Sequence, residues 1–250
     1  YAFGVKGRRI EEAVWSPADL DDEVRRVGLA TGAGQIDLAK AFESVPLEHV
    51  WREAKRTGYP LNLLRLSLEV CSFPRYLTMD GAVSQPCRTL SAIIAGSVNA
   101  TDLMFVSLMH IADELERVGP PVRLSLIVDD LAIHTIGEVT EVADNLCILL
   151  DEAVEKMAGA GLMVSIGSAW TPGGKTVAVA STEVLEGLLR RRMARRGIGM
   201  ERSARWLGID YAPRRPGHGV VRRIRKVKAA DKVRRPVSYT HLTLPTMFEV

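Results

Sequence analysis

The sequence predicts an α/β (α+β) fold in which an antiparallel sheet is covered by helices mostly on one face. Three observations carry that expectation. Short apolar runs of strand length alternate with longer segments whose apolar residues recur at helical spacing. Turn-forming pairs such as Asp80-Gly81 and Asp129-Asp130 stand between neighbouring strand runs, which favours hairpins. With 250 residues, 47% hydrophobic and 25% charged, the chain can bury a sizeable core without staples.

Taken in order, Ile10–Trp15 has a short helical pattern that Ser16-Pro17 stops or restarts. Gly34–Leu38 reads as a strand entered through a glycine-rich turn. Pro46 suits the first turn of a helix running to about Arg56, and a second helix follows from Leu61 to about Ser72. Arg75–Met79 and Thr89–Ile94 are strand candidates, with a turn at Asp80-Gly81. A long helix over Thr101–Arg117 is ended by Gly119-Pro120-Pro121. Leu124–Val128 is a buried-strand run, and Leu131–Thr135 can return beside it. Val139, Val142, Ala143, Leu146, Leu149, Leu150, Ala153 and Met157 recur at helical spacing, which predicts a helix over Glu138–Ala158 ended by Gly159 and Gly161. Strands over Leu162–Ile166 and Thr176–Ala180, a helix to about Arg192 and a last strand over Arg205–Tyr211 complete the reading. There is no internal repeat.

Composition excludes several classes. No uninterrupted apolar stretch approaches the ~18 residues of a membrane helix. Cys71, Cys87 and Cys147 form no CxxC pair, which disfavours a disulfide framework or a zinc knuckle. The chain opens on Tyr1 with no signal-like segment, so it is expected to be a piece of a longer, intracellular product. The net charge of +3 hides an asymmetry. Residues 186–235 carry 17 Lys and Arg against 4 Asp and Glu, whereas residues 1–185 carry 16 against 25. Basic blocks at Arg190-Arg191-Arg192, Arg195-Arg196 and Arg222-Arg223-Ile224-Arg225-Lys226 suit a polyanion, since phosphates release counterions on meeting them. A solvated tail is the alternative.

Two acidic points each end an apolar strand run: Asp37 after Gln35-Ile36, and Asp129-Asp130 after Leu126-Ile127-Val128. A carboxylate beside a buried strand is costly unless something compensates it, and a hard divalent cation takes carboxylate oxygens. Carboxylates from neighbouring strands can hold a pair of metals that activates a hydroxyl and steadies a leaving phosphate. Taken alone, Asp129-Asp130 is equally a polar hairpin turn.

The surrounding residues resemble a known family. Gln35-Ile36-Asp37-Leu38-Ala39-Lys40-Ala41-Phe42-Glu43-Ser44-Val45 closely resembles motif A of reverse transcriptases, and Leu126-Ile127-Val128-Asp129-Asp130-Leu131 resembles their motif C. Tyr1–Arg9 with Ala13-Val14 looks like the fingers segment before motif A in non-LTR retroelement and group II intron enzymes. Lys175-Thr176 looks like motif D, and Trp206-Leu207-Gly208-Ile209 like the Leu-Gly strand that closes the palm. The resemblance covers about residues 1–212. It implies a polymerase palm over residues 34–212, the end of the fingers over 1–33 and a basic connector towards a thumb over 213–235.

The same resemblance implies roles. Asp37 and Asp129 would bind two Mg²⁺ ions (Mn²⁺ as a substitute), with the main-chain carbonyl of Leu38 as a further ligand and Asp130 in support. Phe42 would lie under the incoming sugar and exclude a 2′-hydroxyl, although a ring at a strand–helix junction also suits core packing. Lys175 would neutralise or protonate the leaving pyrophosphate, with a solvated loop lysine as the equal alternative. Gly96, in Ile94-Ala95-Gly96-Ser97, is the best match to motif B and lets backbone approach template and nucleotide. Ser84-Gln85-Pro86 ranks below it, lacking the glycine and a following helix. Arg190, Arg191, Arg222, Arg223, Arg225 and Lys226 would follow the phosphates of an RNA template and a DNA primer, with deoxynucleoside triphosphates as substrates.

Departures from the pattern bear on activity. Ala95 stands where glutamine is usual, Ile127 where tyrosine is usual and Glu43 where aspartate is commoner, yet no metal ligand is lost. Two function classes therefore stay open: RNA-directed DNA polymerase, and a decayed module that binds nucleic acid without polymerising. Thr171–Thr176 ends like a phosphate loop, but Ala169 stands where that loop needs glycine and the acidic strand comes first, so an NTPase is disfavoured. His49, His110, His134 and His218 show no metal or triad spacing. Finally, Val237–Thr246 resembles a translated sequencing adapter, GTC TCT TAT ACA CAT CTG ACG CTG CCG ACG, so residues 236–250 are set aside from fold reasoning.

Overall fold

The computed structural model describes residues 20–118, 122–167, 174–206, 209–211 and 213. The expected Ile10–Trp15 helix, the 1–19 part of the fingers segment, the basic run at 222–226 and the adapter-like 236–250 lie outside the described residues.

Helix α1 (residues 20–26) leads into strand β1 (Ala30–Ile36). Three helices follow, α2 (Ala41–Ser44), α3 (Leu47–Arg56) and α4 (Leu61–Ser72), then the small strands β2 (Thr78–Met79) and β3 (Ala82–Val83). Helix α5 (Ala100–Val118) precedes a hairpin of β4 (Val122–Ile127) and β5 (Asp130–Gly137). Helix α6 (Val139–Gly159), β6 (Val177–Ala180), α7 (Glu183–Met193), β7 (Gly199–Met200), β8 (Ala204–Trp206) and β9 (Ile209–Tyr211) complete the described order.

Five strands form one sheet in the order β4-β5-β1-β6-β7, antiparallel except for the β6–β7 pair. Side chains alternate across it, and the two faces differ. Ile36, Leu124, Leu126, Leu131, Ile133, Ala178 and Ala180 join the main core with α5, α6 and α7. Ala33, Ile127, Ala132 and Val179 point the other way and gather with Ala204 of β8. Helices thus cover one face of a mixed α/β sheet, as expected. Among the described residues no helix is long and apolar enough to cross a membrane.

Five strand expectations need correction. The glycines before Gln35 are not a turn but the middle of β1. A Cβ on Gly34 would sit 2.7 Å from Leu150 Cδ2, and one on Gly32 would sit 3.0 Å from Val142 Cγ1. Glycine here thins the strand so that α6 can lie close, a packing demand that local propensity does not register. Thr89–Ile94 and Leu162–Ile166 each make one isolated bridge, Pro46↔Ser91 and Leu38↔Val164, instead of a ladder. Of Arg75–Met79, Thr78–Met79 pairs with Ala82–Val83 across a turn where Asp80 (φ 49°) and Gly81 (φ 83°) are both left-handed, and Arg75 makes an isolated bridge with Cys87. Arg205–Tyr211 is not one strand but the two arms of the β8–β9 hairpin. The helix expectations stand closer: Thr101–Arg117 and Glu138–Ala158 are realised as α5 and α6 within a residue at each end.

Candidate active site

The register of the sheet builds the site. β1 pairs with β5 so that Ile36 faces Leu131, which brings Asp37, one residue on, beside Asp130. β4 and β5 pair up to Ile127↔Asp130, leaving Val128 and Asp129 as a two-residue loop at the same end of the sheet. Alternation along β1 puts Asp37 on the face of Ala33, the face without α5–α7. The carboxylates therefore open away from the helical layer.

Val128 adopts φ 56°, a left-handed conformation that costs a β-branched residue about 1–3 kcal/mol. Its side chain packs against both the main core and the smaller cluster, and this packing holds the turn in place.

A clamp ties residues 165 and 175–176 to Asp37. The Ser165 N–H donates to the Asp37 carbonyl (2.7 Å), and the Asp37 N–H donates to Thr176 Oγ1 (3.3 Å). The Thr176 N–H donates to the Ser165 carbonyl (2.9 Å) and the Lys175 N–H to Ser165 Oγ (3.2 Å). Lys175 Nζ consequently stands 3.7 Å from Asp37 Oδ2, on a side chain that is 76% exposed. Thr176 is fully buried with its hydroxyl engaged by Asp37, which speaks against a phosphate-loop role for Gly174-Lys175-Thr176.

Charge is crowded here. Burial raises the Asp129 carboxyl above the ordinary range, and Asp37 adds to the rise against the opposing effect of Lys175. Burial, then Asp129 and Asp37, push Asp130 up to about 6. Asp37 Oδ2 is buried with no hydrogen-bond partner. A cluster short of positive charge, with a buried oxygen lacking a donor, fits a hard divalent cation. Among the described residues no three His, Cys, Asp or Glu side chains gather closely enough to hold a metal ion by themselves. The donor set at issue is two carboxylates and a main-chain carbonyl. The Asp37 carbonyl and the Ala39 N–H both face residues 163–165, so the Leu38 carbonyl between them is directed to the opposite edge, that of the Asp129-Asp130 hairpin.

The remaining expected residues are placed as follows. The Phe42 ring is partly buried against the main core, and its carbonyl accepts the Ile93 N–H at 2.7 Å. This bond and that from the Ala92 N–H to the Val45 carbonyl (3.0 Å) lay the 90–93 segment beside residues 42–45. Gly96 has φ 87° with open space where a Cβ would stand, in a turn closed by the Ser97 N–H on the Ile94 carbonyl. Arg190 donates to Glu186 at 2.7 Å and Arg191 to the Gly187 carbonyl at 3.2 Å, both on the exposed side of α7. Arg222, Arg223, Arg225 and Lys226 lie outside the described residues.

Sequence reasoning missed several contributors. Arg192 and Arg196 of the basic block pair with Asp144 and Asp151 of α6, so part of that block fastens α7 to its neighbour. Ser165 carries no motif signal, because its role depends on a loop meeting β1 across the fold. His134 is buried on the open face, where burial and then Arg123 push its ring down to about 4. It is therefore a neutral packing residue near neutral pH. His49 donates through Nε2 to the Ser107 carbonyl (2.9 Å) and accepts from Arg52 at Nδ1 (3.0 Å), a structural pairing of α3 with α5.

No family model matches the sequence, and no curated protein matches it. Among solved structures the chain is similar to the apo telomerase of Candida tropicalis truncated from its C-terminal domain, with TM-score 0.40 and 9% identity. The similarity covers 67% of this chain and 37% of that one, so the chain spans little more than a third of this neighbour's length. A likeness this distant assigns no activity, and the reading of function rests on the site itself.

Proposed function

We propose that the chain is the palm portion of a retroelement reverse transcriptase, of the non-LTR or group II intron-like type, with template-directed nucleotidyl transfer as its reaction. The observation that carries this reading is the convergence of Asp37, Asp129, Asp130 and Lys175, contributed by three separate stretches of the sequence, at one end of the sheet on the face opposite α5–α7. Asp37, Asp129 and the Leu38 carbonyl would hold Mg²⁺, or Mn²⁺ in its place. When bound, the cation supplies Lewis acidity towards the attacking primer 3′-hydroxyl and the leaving phosphate.

The chain's own groups do the positioning. The strained Val128 turn and the Ser165–Thr176 clamp fix the carboxylates and the main chain of Lys175 before substrate arrives. The Lys175 ammonium offsets charge on departing pyrophosphate and can give up a proton from Nζ. Asp130 supports Asp129 across the turn. Phe42 stands below the sugar and excludes a 2′-hydroxyl, and Gly96 leaves room for template and nucleotide. Arg190 and Arg191, with Arg222, Arg223, Arg225 and Lys226, follow the phosphates of RNA template and DNA primer.

A decayed module that binds nucleic acid without polymerising is the second reading, favoured by Ala95 at the glutamine position of motif B. Primer extension on an RNA template with the full-length reading frame, beside Asp129→Ala, separates the two. The polymerase reading expects Asp129→Ala to lose at least about 10²-fold in extension. Equal extension by wild type and variant overturns it.

A further inference from the structure

We propose that Lys175 is a built-in counter-cation of the carboxylate cluster, which a divalent ion must displace, so that this lysine sets how tightly the site takes its metal. The inference rests on the reading of Asp37, Asp129 and the Leu38 carbonyl as the cation's donors.

The geometry separates a fixed backbone from a loose side chain. The main chain of residues 175–176 is fastened by the Lys175 N–H on Ser165 Oγ and the Thr176 N–H on the Ser165 carbonyl. Asp37 is fastened to the same two segments through its own N–H and carbonyl. Lys175 therefore starts from a point that cannot drift away from Asp37. Its ammonium, by contrast, lies 3.7 Å from Asp37 Oδ2, an ion pair longer than a hydrogen bond, and most of the side chain is in water. The oxygen it faces is the buried one that has no hydrogen-bond donor. A flexible, strongly hydrated ammonium in that position compensates charge without being locked in place.

Two consequences follow from charge alone. A divalent ion at Asp37 meets a positive charge already there, so binding must move the ammonium or bear its repulsion. Once moved, the ammonium swings on a four-carbon stem from an anchored Cα and is available to the phosphates of a nucleotide. Cation first and triphosphate second becomes the favoured order.

The test is Mn²⁺ binding to the full chain without nucleic acid or nucleotide, followed by the paramagnetic signal of free Mn²⁺ and by thermal melting with and without the ion. Wild type, Lys175→Met, Lys175→Arg and Asp37→Asn are compared. Lys175→Met is expected to bind Mn²⁺ about tenfold more tightly than wild type, because a competing charge is gone while the stem remains. It should also melt lower than wild type in chelator and regain the difference when Mn²⁺ is added. Lys175→Arg keeps the charge and should stay within about twofold of wild type. Mn²⁺ affinity in Lys175→Met that is equal to or weaker than wild type, with binding still lost in Asp37→Asn, overturns the counter-cation role and leaves the polymerase reading intact. Absence of Asp37-dependent Mn²⁺ binding in both wild type and Lys175→Met overturns the polymerase reading and this inference with it.

Discussion

In β4, β5 and α6 the large apolar side chains that face the core are shut away: Leu126, Ile133, Leu146 and Leu150 have no exposure. Between α4 and α5 the same residue types stand in solvent, with Leu77 72%, Met79 76%, Leu90 91% and Val98 94% exposed. Composition does not separate the regions; layering does. The first has a five-stranded sheet on one side and three helices on the other. The second has the short β2–β3 hairpin, two isolated bridges and the few backbone bonds of residues 90–93 to organise it. A side chain is buried by finding a second layer, not by being apolar. The carboxylate cluster sits on the first region, where a dense core can carry the repulsion among Asp37, Asp129 and Asp130.

The comparison can be sharpened first at the site. On the proposed polymerase reading, Asp37→Asn is expected to lower nucleotide incorporation by about 10³-fold or more while the urea midpoint does not fall, since repulsion is relieved and the core is untouched. A lower midpoint would show that the cluster holds the fold together. The contrast in packing is tested by Leu126→Ala against Leu77→Ala. The first is expected to lose about 2–5 kcal/mol in chemical denaturation and the second less than about 0.5 kcal/mol. Equal losses would break the comparison.

His134 supplies the pH test. Its folded pKa of about 4 lies below its ordinary value, so the unfolded chain takes up the proton first as pH falls. The His134 contribution is complete above about 6.5, is lost progressively between about 6.5 and 4, and amounts to roughly 3 kcal/mol, while the raised Asp130 carboxyl acts with the opposite sign over part of the same range. His134→Gln should flatten this part of the profile, read as the difference in urea midpoint between pH 7 and pH 4.5. Gly34→Ala is expected to cost about 1–3 kcal/mol, from a methyl 2.7 Å from Leu150 Cδ2. Combining it with Leu150→Val should recover part of the loss in a double-mutant cycle.

These residues also mark how far the sequence can be read. The long helices were legible because α5 and α6 are amphipathic over many turns, and a period repeated that often outweighs local noise. The hairpin at Asp129-Asp130 and the strand before Asp37 were legible because each couples a buried run to a polar stop. Pairing was not. Residues 89–94 and 162–166 have strand composition, but a strand is completed by a neighbour, and each finds only one bridge. Gly32 and Gly34 looked like a turn because glycine's commonest use is local, whereas theirs is to admit a helix from elsewhere in the chain. At the site, the carboxylates and Lys175 came from motifs. Ser165 and the Arg192 and Arg196 pairs came only from the assembled fold.

The left-handed Val128 has an evolutionary reading. Glycine is the residue that this backbone conformation would favour, and a glycine there would relax the turn while withdrawing the side chain wedged between the two apolar clusters. Selection for a hardier protein and selection for well-aimed carboxylates therefore pull in opposite directions at a single codon. On the polymerase reading proposed above, a lineage freed from the need to catalyse would be expected to drift there early, which would make position 128 a sensor of whether a copy of this chain is still under selection to work.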